Sequence, residues 1–147
     1  MSGNARIGVF ICECGGKIAE TIDVAALVQR AGELPGVAWV GQAGYLCLPA
    51  GIERMRSMIT DQHLDRTIVA GCAPRTHDLL FRRALDGATN QTLINVTNLR
   101  DLVARPHRGD SHAMTKARDQ VAMAVAEIRA RQLSAPRVAH ITPRALV

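Results

Sequence analysis

The chain has 147 residues, of which 48% are hydrophobic and 21% are charged. This length and balance predict one folded domain with its own core, and they exclude an intrinsically disordered chain. The formal net charge of +5 would suit a nucleic-acid partner, but the arginines are scattered and aromatic residues make up only 3%. Few side chains could therefore stack on bases. We expect no nucleic acid and interpret the charge as basic helix surfaces that face an acidic partner protein.

The predicted elements alternate between strand and helix. Apolar, β-branched runs bounded by turn residues predict strands, and a 3.6-residue apolar period predicts helices. In chain order, the predicted elements are strand 6–11, helix 23–34, strand 37–46, helix 50–62, strand 66–71, helix 75–88, strand 92–97 and helix 112–133. This order predicts a small three-layer α/β domain with a mostly parallel sheet of about four strands, flanked by helices, and a long C-terminal helix.

Helical spacing also predicts which side chains are buried and where helices start. The third helix is expected to turn four apolar side chains to the core, namely Leu79, Leu80, Ala84 and Leu85. Asp110 or Ser111 is expected to cap the long C-terminal helix. Residues 134–147 contain two prolines and are predicted to form a linker, so the domain itself is expected to span residues 1–133.

The chain shows no feature of a membrane or secreted protein. No apolar segment reaches the roughly 18–20 residues that cross a bilayer, and the first residues lack the pattern of a signal peptide. We therefore expect a cytoplasmic protein without a membrane span. Since cytoplasmic disulfides are rare, its four cysteines are expected to be free thiols.

These cysteines follow the predicted strands. Cys12 and Cys14 come directly after the first strand, Cys47 follows the second, and Cys72 follows the third. The carboxyl ends of parallel strands meet at one edge of a sheet, and open α/β sheets bind ligands at that edge. We therefore expect the four thiols to lie together.

Four thiolates are soft ligands, suited to zinc, copper(I) or an iron–sulfur cluster. Zinc sites usually use Cys-x2-Cys pairs, whereas this chain has Cys-x-Cys and two lone cysteines. A [4Fe–4S] cluster takes four thiolates, and its size suits ligands from separate loops, so the spacing favours a cluster over zinc. Gly15 and Gly16 would let the backbone approach a cluster and offer it amide donors. The alternative is a zinc- or thiol-bearing structural module that docks subunits together.

Other polar residues near this edge give weaker signals. His77 could ligate a metal and Arg75 could balance the charge of a cluster, but both also suit ordinary positions at the start of a helix. The segment around Lys17 is too short for a phosphate-binding P-loop. We assign these three residues no role from the sequence.

The motifs IGVFICECGGKIAETIDV, GYLCLPAG, VAGCAPRTHDLLFRRA and NVTNLRD occur in this order, followed by a long helix after Pro-His. Together they resemble the N-terminal iron–sulfur domain found in the A subunits of heterodisulfide reductases, over residues from about Arg6 to Leu133. The final ITPRALV resembles the stretch that leads into the FAD-binding domain of that family. The resemblance implies that residues 134–147 are a linker to such a domain.

This resemblance also implies a function and a site. It implies an electron-transfer module, not itself catalytic, with a [4Fe–4S] cluster bound by four cysteines, namely Cys12, Cys14, Cys47 and Cys72. FAD is implied only in a partner or in the domain that would follow. The implied partners are flavin and iron–sulfur subunits of a heterodisulfide-reductase-type oxidoreductase complex of the electron-bifurcating kind, and self-association is left open. The sequence departs from the family at Val103, in NLRDLVARPH, where many relatives carry another cysteine.

Overall fold

The computed structural model describes residues 5–133 and residue 138. Its strands are β1 (Ile7–Cys12), β2 (Val37–Ala43), β3 (Arg66–Gly71) and β4 (Ile94–Asn98). Its longer helices are α1 (Val24–Gly32), α2 (Pro49–Asp61), α3 (Pro74–Ala84) and α4 (Ala113–Ala130), and short helical turns cover Gln91–Leu93 and Arg100–Ala104. None of these helices has the length and apolarity needed to cross a membrane. The predicted linker at 134–147 lies outside the described residues, apart from its residue 138.

The strands form one parallel sheet in the order β2-β1-β3-β4. β1 is buried along its whole length, and β3 is buried after its first residue. Strands covered on both faces need apolar side chains at every position, which is why both sequences read as continuous apolar runs. The predicted parallel α/β fold is confirmed. Its strands all end at one edge of the sheet, here called the carboxyl edge.

Helices cover both faces of this sheet. Side chains in a strand alternate between faces, and the neighbours Phe10 and Ile11 of β1 belong to two different apolar clusters. Ile11 packs with side chains of α1 and α4, including Leu27 and Val121. Phe10 packs with side chains of α2 and α3, including Met55. The domain therefore has the expected three layers, with the sheet in the middle.

The buried face of α3 differs from the prediction. Phe81 and Leu85 are 2% and 0% exposed, whereas Leu79 and Leu80 are 59% and 38% exposed. Phe81 and Leu85 lie one helical turn apart and both pack against the cluster between α2 and α3. When Phe81 and Leu85 face the core, Leu79 and Leu80 face the solvent. The prediction that Leu79 and Leu80 are buried is therefore wrong.

The start of α4 also differs from the prediction. The residue that precedes the helix is His112, and its side chain makes no capping hydrogen bond. Asp110 Oδ1 instead accepts from the His112 N–H at 2.8 Å, and the N–H of Ala113 donates to the Asp110 carbonyl at 3.1 Å. Neither Asp110 nor Ser111 caps α4 itself, because an extra turn separates them from the helix.

A π-helical turn at Arg100–Ala104 follows β4, and the sequence pattern did not predict it. Leu99 anchors the turn, because its carbonyl accepts from the N–H groups of Val103 and Ala104 at 3.1 and 2.8 Å. Val103 is fully buried in the cluster under α1 and α4. Val103, where the family resemblance implies a cysteine in many relatives, is therefore a core position in this chain.

Candidate functional site

The carboxyl edge brings the cysteines together. Cys12 is the last residue of β1, Cys14 lies two residues beyond it, and Cys47 and Cys72 follow β2 and β3. The Sγ atoms of Cys14 and Cys72 are 3.7 Å apart. All four cysteines are free thiols. Cys12 and Cys72 are buried, and Cys14 and Cys47 are partly exposed.

The turn after β1 has an unusual backbone. Cys14, Gly15 and Gly16 have φ angles of 53°, 60° and 88°, all in the left-handed region that residues other than glycine rarely adopt. The Gly15 N–H donates to the Gly44 carbonyl at 2.9 Å. A methyl group on Gly15 would collide with the phenol of Tyr45. The glycines expected to face a cluster therefore allow the turn to reverse closely against the segment that leads to Cys47.

Two further glycines permit close approach of the segments that carry the cysteines. A Cβ on Gly71, at the end of β3, would lie 2.7 Å from the Cβ of Cys12. A Cβ on Gly51, in the first turn of α2, would lie 2.8 Å from the Cα of Leu46. Gly71 therefore lets the ends of β1 and β3 meet, and Gly51 lets α2 begin close against the segment that leads to Cys47.

Cys12 lies among backbone donors. The N–H of Cys14 donates to Cys12 Sγ at 3.3 Å. Burial raises the pKa of the Cys12 thiol, and hydrogen bonds from the backbone of Leu46 and Cys14 lower it and so oppose part of that effect. Backbone N–H groups directed at sulfur favour a thiolate over a thiol, and they are a usual feature of sulfur ligands in metal centres.

Cys72 is affected by all three other cysteines. Its pKa is raised to about 12, first by burial, then by the negative charge that Cys14 would carry and the hydrogen bond with Cys14, and finally by the charges of Cys12 and Cys47. Cys72 therefore lies within electrostatic range of the other three cysteine sulfurs. Four thiolates at such a site need a positively charged centre between them, and a metal centre supplies that charge.

Arg100, which was not predicted from the sequence, also contacts this group of cysteines. Its Nη1 donates to Cys14 Sγ at 3.6 Å from the π-helical turn after β4. The hydrogen bond and the negative charge of Cys14 raise the pKa of Arg100. A basic residue just after the fourth strand was the available signal, because β4 ends at the same edge.

Two other candidates from the sequence, Arg75 and His77, lie away from the cysteine sulfurs, in the first turns of α3. Arg75 is exposed on α3. The ring of His77 contacts its neighbour Thr76, with 2.7 Å between Nδ1 and Oγ1. Both residues lie in the first turns of α3 and neither contacts a cysteine sulfur by any hydrogen bond found among the described residues.

The arrangement of donors distinguishes two kinds of metal centre. Within residues 5–133 and 138, no three His, Cys, Asp or Glu side chains converge closely enough to hold a single metal ion. Tetrahedral zinc, with bonds of about 2.3 Å, needs every pair of sulfurs roughly 3.8 Å apart. In an iron–sulfur cluster each cysteine binds a different iron, so the sulfurs stand farther apart. The lack of three converging donors among the described residues favours the second kind of centre, whereas the 3.7 Å between the Sγ atoms of Cys14 and Cys72 matches the first kind for that pair.

Proteins named as the A subunits of heterodisulfide reductases match most of this chain. One is the A subunit of the ferredoxin:CoB-CoM heterodisulfide reductase of Methanosarcina mazei, which is 40% identical over 133 residues, or 88% of this chain. The A subunit of the ferredoxin/F(420)H(2)-dependent CoB-CoM heterodisulfide reductase of Methanosarcina acetivorans is 41% identical over the same share. An iron-sulfur A subunit of the CoB–CoM heterodisulfide reductase of Methanopyrus kandleri is 35% identical over 97% of the chain.

The match covers a small part of these relatives. The chain spans 17% of the length of each Methanosarcina protein and 22% of the Methanopyrus protein. No protein-family model matches the chain. The comparisons therefore relate this α/β domain to one segment of much larger heterodisulfide reductase subunits.

Proposed function

We propose that this chain is an electron-transfer module like that in the A subunits of heterodisulfide reductases, and that its four cysteines bind one [4Fe–4S] cluster. When bound, such a cluster supplies a centre that accepts and donates single electrons. The observation that carries the proposal is the gathering of four free thiols, from the ends of three parallel strands, at the carboxyl edge. The matched relatives add support, because one of them is named for iron and sulfur.

Each residue of the site has a definite part in this proposal. Cys12 and Cys72 are the buried ligands, and Cys14 and Cys47 are the partly exposed ones. The N–H of Cys14 stabilises Cys12 as a thiolate through their hydrogen bond. Arg100 places a positive charge beside Cys14 and offsets part of the negative charge of the ligand set. The chain moves electrons in this function and needs no general base or nucleophile of its own.

The names of the relatives suggest a setting for this module. The matched protein of Methanosarcina mazei is named for ferredoxin and for the CoB-CoM heterodisulfide. We propose that residues 1–133 work within a cytoplasmic reductase complex of this type, alongside flavin and iron–sulfur subunits. FAD would be held by another domain or by a partner protein, and residues 134–147 would be the link towards it.

Anaerobic reconstitution with iron and sulfide tests the proposal. We expect about four iron and four sulfide per chain, with broad absorbance near ~400 nm. Cys12→Ala and Cys14→Ala are each expected to lose the iron and keep the circular dichroism of the fold, because the core is built from the helices and the sheet. Ser57→Ala, a control on α2 outside the site, should retain the iron. Iron and sulfide contents far below four per chain would overturn the proposal.

A second candidate function rests on one distance. The separation of 3.7 Å between the Sγ atoms of Cys14 and Cys72 matches that of two thiolates on one tetrahedral zinc ion. A zinc- or thiol-bearing module that docks subunits together would use the same cysteines. Metal analysis separates the two functions, because about one zinc per chain without absorbance near ~400 nm favours the docking module.

A further inference from the structure

A cavity of about 530 Å³ beside the cysteine site is lined mainly by positive charge. Its lining residues are Lys17, Arg100, Ala104, Arg105 and Arg108. All four cysteines are among the described residues and none of them lines the cavity. The cavity is therefore separate from the proposed ligand set. It adjoins that set through Arg100, which also donates to Cys14 Sγ.

The walls of this basic cavity are held in place by the fold. Lys17 comes from the turn after β1, and Arg100 and Ala104 come from the π-helical turn after β4. The hydroxyl of Thr21 donates to the Ala104 carbonyl at 3.1 Å. This bond fastens the segment that carries Lys17 to the π-helical turn, so the cations are assembled before any ligand arrives.

Carboxylates neutralise only part of this charge. In the described part of the chain, Asp101 Oδ1 lies 3.5 Å from Arg100 Nε and 3.2 Å from Arg105 Nη1. Glu20 forms an ion pair with Arg108. The four cations of the cavity therefore face two carboxylates and keep two positive charges in excess. Like charges held near one another repel, and a bound anion would relieve that repulsion.

We propose that the basic cavity binds a small molecule that carries phosphate groups and is about the size of a nucleotide. Guanidinium groups offer paired N–H donors that match phosphate oxygens, and three of the four cations are arginines. The volume lies within the roughly 300–1,000 Å³ typical of small-molecule sites. A nucleic acid or an acidic protein segment would need a broad surface, whereas these cations surround a concave space.

Calorimetric titration of the chain with ADP and with inorganic pyrophosphate tests this proposal. We expect saturable binding of both ligands at one site per chain, at least tenfold weaker in Arg105→Ala/Arg108→Ala, since each lost charged hydrogen bond costs binding. Both side chains are mostly exposed, at 71% and 65%, so the double variant should keep its fold. Lys17→Ala, in the turn after β1, should also weaken binding.

The matched control is Arg54→Ala/Arg83→Ala. It removes the same charge from exposed positions on α2 and α3 and should bind ADP like the parent chain. Equal losses in the two double variants, or no saturable binding at millimolar ligand, would overturn the proposal. A deca-aspartate peptide that binds more tightly than ADP would assign the cations to an acidic protein segment and overturn it as well. ADP is titrated into the chain before and after iron reconstitution. A failure to bind ADP can then be told apart from a failure to assemble the cluster.

Discussion

Arg100 donates through Nη1 to the sulfur of Cys14 at 3.6 Å, from a position 86 residues farther along the chain. The sheet produces this contact, because β1 and β4 both end at the carboxyl edge. A fixed positive charge beside a ligand sulfur should affect the energy of adding an electron nearby.

Arg100→Gln is expected to lower the midpoint potential of the reconstituted chain. A positive charge stabilises the more negative reduced state, and a unit charge is worth about 1 kcal/mol in a well-solvated contact, or roughly 40 mV for one electron. A redox titration followed by electron paramagnetic resonance measures the shift. Arg75→Gln, which removes an exposed charge on α3, is the control. An unchanged potential in Arg100→Gln would contradict the role given to this residue.

Gly71→Ala is expected to disturb the cysteine site through packing. The new Cβ would lie 2.7 Å from the Cβ of Cys12, so the end of β1 must shift, at a cost of about 1–3 kcal/mol in the free energy of unfolding. We expect lower iron retention after reconstitution. Gly44→Ala is the matched control, because its Cβ would meet no atom within 4 Å. Both variants are compared by denaturant unfolding and by iron analysis. Equal free energies of unfolding and equal iron contents in the two variants would refute the packing argument.

The turn before α4 should give the stability of the chain an acid-sensitive component. Hydrogen bonds from the His112 backbone, from the His107 ring and from the His112 ring hold the pKa of Asp110 well below its usual range. A lowered pKa in the folded state stabilises the fold above the unfolded pKa of about 4. That contribution is lost as the pH falls below it.

Asp110→Asn should therefore remove this pH dependence. The parent chain is expected to lose more stability than Asp110→Asn between pH 5 and pH 3, as measured by denaturant midpoints. Asp119→Asn, an exposed position on α4, should follow the parent chain. Parallel curves for the parent and Asp110→Asn would show that the carboxylate does not stabilise this turn.

Two substitutions on α3 separate its buried and exposed faces. Phe81→Ala should lower the free energy of unfolding by about 3–5 kcal/mol, since it empties a site that is only 2% exposed. Leu79→Ala should change it by less than about 0.5 kcal/mol, because this side chain is 59% exposed. Urea unfolding measures both, and comparable losses would mean that α3 packs through a different face.

The two central strands, β1 and β3, were predictable because burial on both faces leaves a strong pattern. Residues 66–71 were predicted as a strand and form β3 with the same limits, since every residue after the first is apolar or small and buried. The face of α3 was less predictable. Leu79, Leu80 and Phe81 are consecutive apolar residues, and only the position of the helix over the sheet decides which of them is buried.

The candidate site also has parts that could be predicted from the sequence and parts that could not. The positions of Cys12, Cys47 and Cys72 at one edge follow from strand ends and parallel pairing alone. The contact of Arg100 depends on a π-helical turn, for which neither apolar periodicity nor turn residues give a signal. The basic cavity was also hidden, because Lys17 and the arginines come from separate segments and the sequence around Lys17 lacks a phosphate-binding motif.

The shared position of Arg100 has a thermodynamic consequence. The same guanidinium lines the basic cavity and contacts the sulfur of Cys14, so an anion that draws it away leaves that sulfur less well compensated. Such linkage is reciprocal. If a ligand in the cavity changes the equilibrium constant for reduction by some factor, reduction changes the affinity for that ligand by the same factor. Through this one arginine, the concentration of a metabolite and the flow of electrons would each affect the other.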